Sequence, residues 1–219
     1  VLSNHDVTRP VTRYGRADTS FAHGGALHGT PSDAELGYRR ARAAALLAMA
    51  LPGGLYVYQG EELGLPEVED LPDELRQDPM YARSGGTNPG RDGCRVPLPW
   101  SGDEPPFGFS PGPVRPWLPQ PESWRKLSAE AQLPDLDSML NLYRAGLRLR
   151  RELLGDGTLS WLPYDQTVLA FTRDSGLTCV TNLGTEAIRL PAGEILLTSG
   201  PLEDGALPPD TTAWLAPLP

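Results

Sequence analysis

The amino-acid sequence predicts an α/β segment followed by an all-β one, within 219 residues. Three observations carry this prediction. An alanine-rich stretch runs through Pro52-Gly53-Gly54 into the short apolar run Leu55-Tyr56-Val57-Tyr58, and a helix followed by an apolar strand is half of an α/β repeat. A second helical stretch, 136–154, stops at Gly155. Beyond Gly157 short apolar runs recur about every ten residues, the spacing of a small antiparallel sandwich. The change of period divides the chain into 1–155 and 156–219.

The elements follow in order. Val1-Leu2-Ser3-Asn4-His5-Asp6 reads as the end of a buried strand entering a polar loop. A domain that opens inside a strand, without an initiator methionine, is expected to be a fragment of a longer chain. Residues 7–31 read as loop, with Gly15, Gly24, Gly25, Gly29 and a Thr-Pro turn. Ser32-Asp33-Ala34-Glu35 has the pattern of a capping box, with Ser32 as N-cap. Strong helix formers continue from there to Leu51. Residues 60–125 form a long irregular segment, acidic at first and then rich in Gly and Pro. Its interspersed Tyr81, Trp100, Phe107, Phe109 and Trp117 predict an ordered, packed loop.

In the helix 136–154, Leu140, Tyr143, Leu147 and Leu154 are expected on the buried face, with Arg144, Arg148 and Arg151 on another and Asp137 as N-cap. Strands are expected at 158–162, 167–172, 177–182, 188–190, 194–198 and 212–215.

Composition narrows the function. The chain carries 19 basic and 28 acidic residues, a net charge of −9, which argues against nucleic acid and against an anionic membrane surface as partners. No apolar run approaches the ~20 residues that span a bilayer. Two distant cysteines, Cys94 and Cys179, make no disulfide framework and fit a reducing, cytoplasmic compartment. The 24 Gly and 24 Pro predict much turn and loop.

Asn4-His5-Asp6 is the sharpest local feature. At the carboxyl end of a parallel barrel strand, an imidazole beside a carboxylate would face an active site, bind hydroxyls and stabilise positive charge. A simple strand-to-loop turn explains the same three residues. Arg91-Asp92-Gly93-Cys94-Arg95-Val96-Pro97 is a second polar knot, read either as a site arginine or as an ion pair stiffening the loop. Glu61 and Glu62 follow the second apolar run but point apart as neighbours, so structural roles are expected of them. The acidic run 61–78 reads as a solvated face. His23 and His28 lack partners at metal-ligand spacing, so no metal and no cofactor are predicted, and Cys94 reads as structural.

Four stretches in order resemble the α-amylase family of glycoside hydrolases, and within it the bacterial α-glucosidases and oligo-1,6-glucosidases. They are Leu2-Ser3-Asn4-His5-Asp6-Val7-Thr8-Arg9; Ala43-Ala44-Ala45-Leu46-Leu47 through Leu51-Pro52-Gly53-Gly54; Tyr58-Gln59-Gly60-Glu61-Glu62-Leu63-Gly64; and Gly90-Arg91-Asp92-Gly93-Cys94-Arg95-Val96-Pro97-Leu98-Pro99-Trp100. The resemblance implies the last part of a (β/α)₈ barrel, from the end of strand 7 through helix 8, followed by an antiparallel β C-terminal domain. It implies that Asp6 stabilises an oxocarbenium-like transition state and that His5 binds the sugar. It also implies that Arg91 reaches the active site. Arg9 and Arg13 match loop arginines to which it gives no role.

The resemblance also implies what is missing. A retaining glycosidase needs a nucleophilic carboxylate and a second carboxyl as acid/base about 5–5.5 Å apart. In this family both precede the segment matched here, and no residue of the chain fits either motif. The expectation is therefore a C-terminal portion of a retaining α-glucosidase acting on α-linked gluco-oligosaccharides, inactive by itself. Two alternatives stand beside it: a trehalose synthase or other transglycosylase of the family, and a non-catalytic binding or scaffolding relative.

Overall fold

The computed structural model describes residues 1–20, 27–112 and 114–218. The chain divides into two compact units that interleave along the sequence: Val1–Tyr38 with Val57–Asn141, and Arg39–Tyr56 with the residues from Leu142 onward. Helical segments precede an antiparallel β region, as the sequence predicts.

The first unit opens on extended residues that have no strand partner among the described residues. Neither 1–3 nor 55–58 forms a β-ladder among the described residues. This corrects the two buried strands expected there. A strand persists as a strand only where a neighbour takes its backbone hydrogen bonds. Tyr56, at 74% exposure, and Val57, at 38%, are likewise not buried. The stretch 7–31, expected as loop, contains a short helix, α1 (Pro10–Tyr14), started by Pro10 at its first turn. Five residues are too few to show a helical period.

Helix α2 (Ala34–Ala50) begins one residue later than expected. Asp33 is the cap: its Oδ1 accepts the Leu36 N–H at 3.0 Å. The Ser32 hydroxyl instead donates to the Thr12 carbonyl at 2.8 Å.

The long segment that follows is ordered around its own core. Leu63, Leu65, Val68, Leu71, Val96, Leu98, Phe107, Leu118 and Trp124 form one buried cluster. Each such side chain contributes about 1.5–3 kcal/mol by leaving water. Trp100, Phe109 and Trp117 lie largely exposed, so aliphatic residues do most of the packing expected of the aromatics. A short helix, α3 (Pro79–Arg83), punctuates the segment, and another, α4 (Ala129–Gln132), follows it.

Helix α5 (Met139–Leu153) is capped by Ser138, whose Oγ accepts the Asn141 N–H at 3.2 Å, in place of the expected Asp137. Its buried face carries Met139, Leu142 and Tyr143, while Leu147 is 38% exposed. Gly146 completes that face: a Cβ there would stand 2.6 Å from the sulfur of Met49. A glycine adds nothing to a hydrophobic pattern, so the sequence rotates the stripe toward Leu147. Gly155, at φ +50°, ends the helix as expected.

In the second unit the strands are β1 (Leu159–Trp161), β2 (Val168–Arg173), β3 (Thr178–Asn182), β4 (Ile188–Arg189), β5 (Glu194–Thr198), β6 (Ala206–Leu207) and β7 (Thr211–Ala216). Five of them form an antiparallel sheet in the order β1-β2-β3-β7-β5, and β4 pairs with β6. The short β6 escaped the pattern because two residues show no alternation.

The two faces of the large sheet bury different partners. Val168, Ala170, Val180, Ala213 and Leu215 pack with Leu207 of the small sheet. Phe171, Cys179 and Trp214 lie in register across three strands and are wholly buried. That face meets α2: the Trp214 indole N–H donates to the Leu46 carbonyl at 3.2 Å, and the Thr212 hydroxyl to the Ala43 carbonyl at 2.9 Å.

Two arginines close the end of α2. Buried Arg173 donates to the carbonyls of Ala50 at 2.8 Å, Thr158 at 3.0 Å and Gly157 at 2.7 Å. Arg150 donates to Leu51 at 2.8 Å and to Gly53 at 2.6 Å. Cations are favoured there by the helix dipole and by otherwise unpaired carbonyls.

Candidate active site

Asn4 shapes the first wall of the site. Its Oδ1 accepts the Asp6 N–H at 2.8 Å, an Asx turn that presents His5 and Asp6 side by side. Their side chains are 67% and 36% exposed, with the imidazole Nε2 3.4 Å from Asp6 Oδ1. The chain is then drawn back into the interior by Arg9, which is wholly buried. Arg9 donates to the carbonyls of Gln59 at 2.9 Å and Cys94 at 2.8 Å, and its guanidinium lies over the Tyr58 ring. Arg13 donates to the Leu2 carbonyl at 2.5 Å. Both arginines hold backbone.

Arg91 supplies the second wall. Its Nη1 donates to Asp6 Oδ1 at 2.7 Å across 85 residues of sequence. The rest of its fork is taken by Asp78: Nε donates to Oδ2 at 2.6 Å and Nη2 to Oδ1 at 3.2 Å. Arg95 joins from the same loop, its Nη2 donating to Asp6 Oδ1 at 3.2 Å and its Nε to the His5 carbonyl at 2.9 Å. Two guanidiniums therefore converge on one oxygen of Asp6. Its other oxygen, Oδ2, takes no hydrogen bond from the described residues.

Asp78 is the hidden member. Its side chain is fully buried, and its Oδ1 caps α3 by accepting the Met80 N–H at 3.0 Å. The Asp78 backbone is pinned in turn by Asp92, whose Oδ2 accepts the N–H groups of Gln77 at 2.6 Å and Asp78 at 2.8 Å. Gly90, at φ +74°, passes so close that a Cβ would stand 2.7 Å from Asp78 Cβ. Asp92 is thus a backbone anchor, and Arg91 makes its ion pairs with Asp78 and Asp6.

The charges follow the geometry. Burial pushes Asp6 upward, but the Arg91 hydrogen bond and the charges of His5, Arg91 and Arg95 outweigh it and hold the carboxyl below its ordinary range. The Arg91 hydrogen bond, set against burial, brings Asp78 down to about 2. The Asp78 hydrogen bond raises Arg91 further from deprotonation. Behind the site, burial pushes Glu67 up to about 7 although it accepts the Arg9 N–H at 2.9 Å.

The arrangement presents an ionised carboxylate with one oxygen neutralised and one available. Such a group accepts hydrogen bonds from paired hydroxyls and stabilises an adjacent developing cation. Among the described residues no group of three His, Cys, Asp or Glu side chains is placed to hold a metal ion. His23 lies outside the described residues, and His28 Nε2 lies 2.9 Å from the Glu69 carbonyl.

The structure thus brings His5, Asp6 and Arg91 together, and adds Asp78 and Arg95, which the sequence reading left unassigned. The available signals were slight: Asp78-Pro79 is a helix start, and Arg95 lies four residues from Arg91. The acidic run 61–78 is not simply a solvated face, since Glu61 and Asp78 are buried. Glu61 accepts the N–H and hydroxyl of Ser3 at 3.0 and 2.7 Å. Glu62 accepts the Gly60 N–H at 2.7 Å.

Residues 1–157 match the family described as "Alpha amylase, catalytic domain". The chain is 36% identical over 191 residues to a probable alpha-glucosidase of Rhizobium meliloti, covering 85% of this chain and 31% of that protein. It is 28% identical over 215 residues to an oligo-1,6-glucosidase of Parageobacillus thermoglucosidasius, covering 87% and 35%. Among solved structures it resembles the alpha-glucosyl transfer enzyme XgtA, at 34% identity and a TM-score of 0.67, over 98% of this chain and 38% of that one. The fold of the isomaltulose synthase from Erwinia rhapontici NX5 is also similar, at 22% identity and a TM-score of 0.71, over 98% and 42%. The chain spans about a third of the length of these curated relatives. Matched over most of its residues, the chain belongs to the α-amylase family.

Proposed function

We propose that this chain is the C-terminal portion of a retaining α-glucosidase that acts on α-linked gluco-oligosaccharides. Residues 1–155 would complete a (β/α)₈ barrel from the end of its seventh strand through its eighth helix, and 156–219 would form the β C-terminal domain. The observation that carries this reading is Asp6, with Oδ1 held by Arg91 at 2.7 Å and Arg95 at 3.2 Å and Oδ2 without a hydrogen-bond partner among the described residues. In this role Oδ2 grips ring hydroxyls of the bound glucosyl unit, and the carboxylate stabilises the oxocarbenium-like transition state. His5 borders the same sugar, and Arg91 fixes the carboxylate. The nucleophile and the acid/base belong to the length of the relatives that this chain does not span. The run 55–58, which has no β-ladder partner among the described residues and leaves Tyr56 and Val57 exposed, supports neighbours contributed by that length.

Two buried free cysteines support a reducing compartment such as the cytoplasm. Among the described residues no helix is long and apolar enough to cross a membrane.

The likeness to an alpha-glucosyl transfer enzyme supports a second outcome, in which a sugar hydroxyl replaces water as acceptor. Both reactions pass through a glucosyl-enzyme and retain the anomeric configuration. The full-length protein incubated with maltose, isomaltose, sucrose and trehalose separates them. Hydrolysis releases α-glucose, whereas transfer yields new disaccharides or longer sugars. Release of β-glucose as the first product would overturn the retaining assignment.

A further inference from the structure

We infer that Asp78 is a positioning residue for Asp6: it occupies one edge of the Arg91 fork and so keeps Asp6 Oδ2 available. The inference rests on the reading of Asp6 proposed above and deepens it.

An arginine beside an unencumbered carboxylate favours the two-bonded fork, in which both oxygens are consumed. Here Arg91 donates to Asp6 through Nη1, while Asp78 takes Nε at 2.6 Å and one proton of Nη2 at 3.2 Å, so the side-on edge of the guanidinium is closed to Asp6. The Arg91 backbone is fixed by the same acid, its N–H donating to Asp78 Oδ2 at 3.0 Å. Asp78 is fully buried, so it cannot touch a sugar and acts on the site only through its cation. Arg95 balances the cluster, lying 3.2 Å from Asp6 and 3.7 Å from Asp78. Two carboxylates and two guanidiniums leave the group neutral, which limits its cost in the partly buried loop.

The test is a double-variant cycle on the full-length protein, with p-nitrophenyl α-glucoside as substrate. Asp78→Asn keeps an oxygen able to cap α3, while the amide nitrogen that replaces Oδ2 no longer accepts the Arg91 N–H. It frees Nε and Nη2 of Arg91 to swing onto Asp6. The expected result is a fall in kcat of about ten- to a hundredfold, with KM changed less than about threefold. In an Arg91→Ala background the same Asp78→Asn change is expected to cost almost nothing more, because no fork remains to be held. Losses that multiply in the double variant overturn the inference, as does a single variant with wild-type kcat. Should Asp78→Asn lose its thermal transition, Asp78→Glu is carried through the same cycle and read by the same criterion. Asp6→Asn run alongside separates the two levels. If it keeps full activity, the role of Asp6 fails and the inference with it. If it is inactive while the cycle multiplies, only the role of Asp78 fails.

Discussion

Arg91 and Asp6 meet through a single oxygen, Nη1 to Oδ1 at 2.7 Å, and this one contact joins two loops separated by 85 residues of sequence. The other carboxylate oxygen takes no hydrogen bond from the described residues, while Arg95 donates to the same Oδ1 and Asp78 takes Nε and Nη2 of Arg91. Lysine cannot reproduce this. Its ammonium is a point donor and cannot hold Asp78 by two bonds while reaching Asp6. Arg91→Lys is expected to lower the kcat of the full-length protein about ten- to a hundredfold while its melting temperature stays within a few degrees of wild type. Steady-state kinetics beside a thermal melt check this, and an unchanged kcat would remove Arg91 from the site.

A pH dependence follows from Glu67. Its folded value of about 7 lies above its ordinary 4.5, so between those values the folded protein binds more protons than the unfolded chain. Stability attributable to this group therefore falls as pH rises from about 4.5 to 7. Asp78 works in the opposite sense at the acid end: held at about 2 against an ordinary 3.8, it stabilises above that range and loses its contribution as pH falls through it. Glu67→Gln is expected to flatten the neutral slope, with melting temperatures moving about 2–4 °C per kcal/mol. Identical pH–melting curves for wild type and variant would refute the assignment.

Gly37 lies on α2 where the helix crosses α1. A Cβ there would run into the Val11 carbonyl oxygen and stand 2.9 Å from the Gly15 nitrogen. Backbone cannot move aside as a flexible side chain can. The helix propensity gained by alanine is about 1 kcal/mol, and overpacking costs about 1–3 kcal/mol. Gly37→Ala is thus expected to destabilise by about 1–2 kcal/mol, the clash outweighing the gain. Denaturant unfolding measures the difference, and a more stable variant would contradict the close approach.

The thiols should be inert. Burial pushes both Cys94 and Cys179 up to about 12, leaving almost no thiolate at neutral pH. Ellman's reagent is expected to label neither cysteine in the folded protein and both after denaturation. Labelling of Cys94 at the rate of a free thiol would show that its loop opens.

Much of the fold is legible because helix and strand signals are local. The alanine run and the stop at Gly155 each act within a few residues of themselves. The failures share one physical cause, since they depend on distant partners. Ser32 yields its cap to Asp33 because its hydroxyl is taken by Thr12, and Gly146 faces inward because Met49 fills the space. In the site, Asn4-His5-Asp6 and Arg91 stand out as motifs, whereas Asp78 does not. An acid in an acidic run looks solvated until the fold shows it buried beneath a guanidinium.

The role of Asp6 is tested most directly by the hydrolysis of p-nitrophenyl α-glucoside by the full-length protein and its Asp6→Asn variant. The amide keeps the shape of the side chain and an acceptor for Arg91, but removes the negative charge. The predicted result is active wild-type protein and a loss of kcat of at least about 10²- to 10³-fold in the variant, with the thermal transition retained. A folded Asp6→Asn protein with undiminished kcat would contradict the assignment.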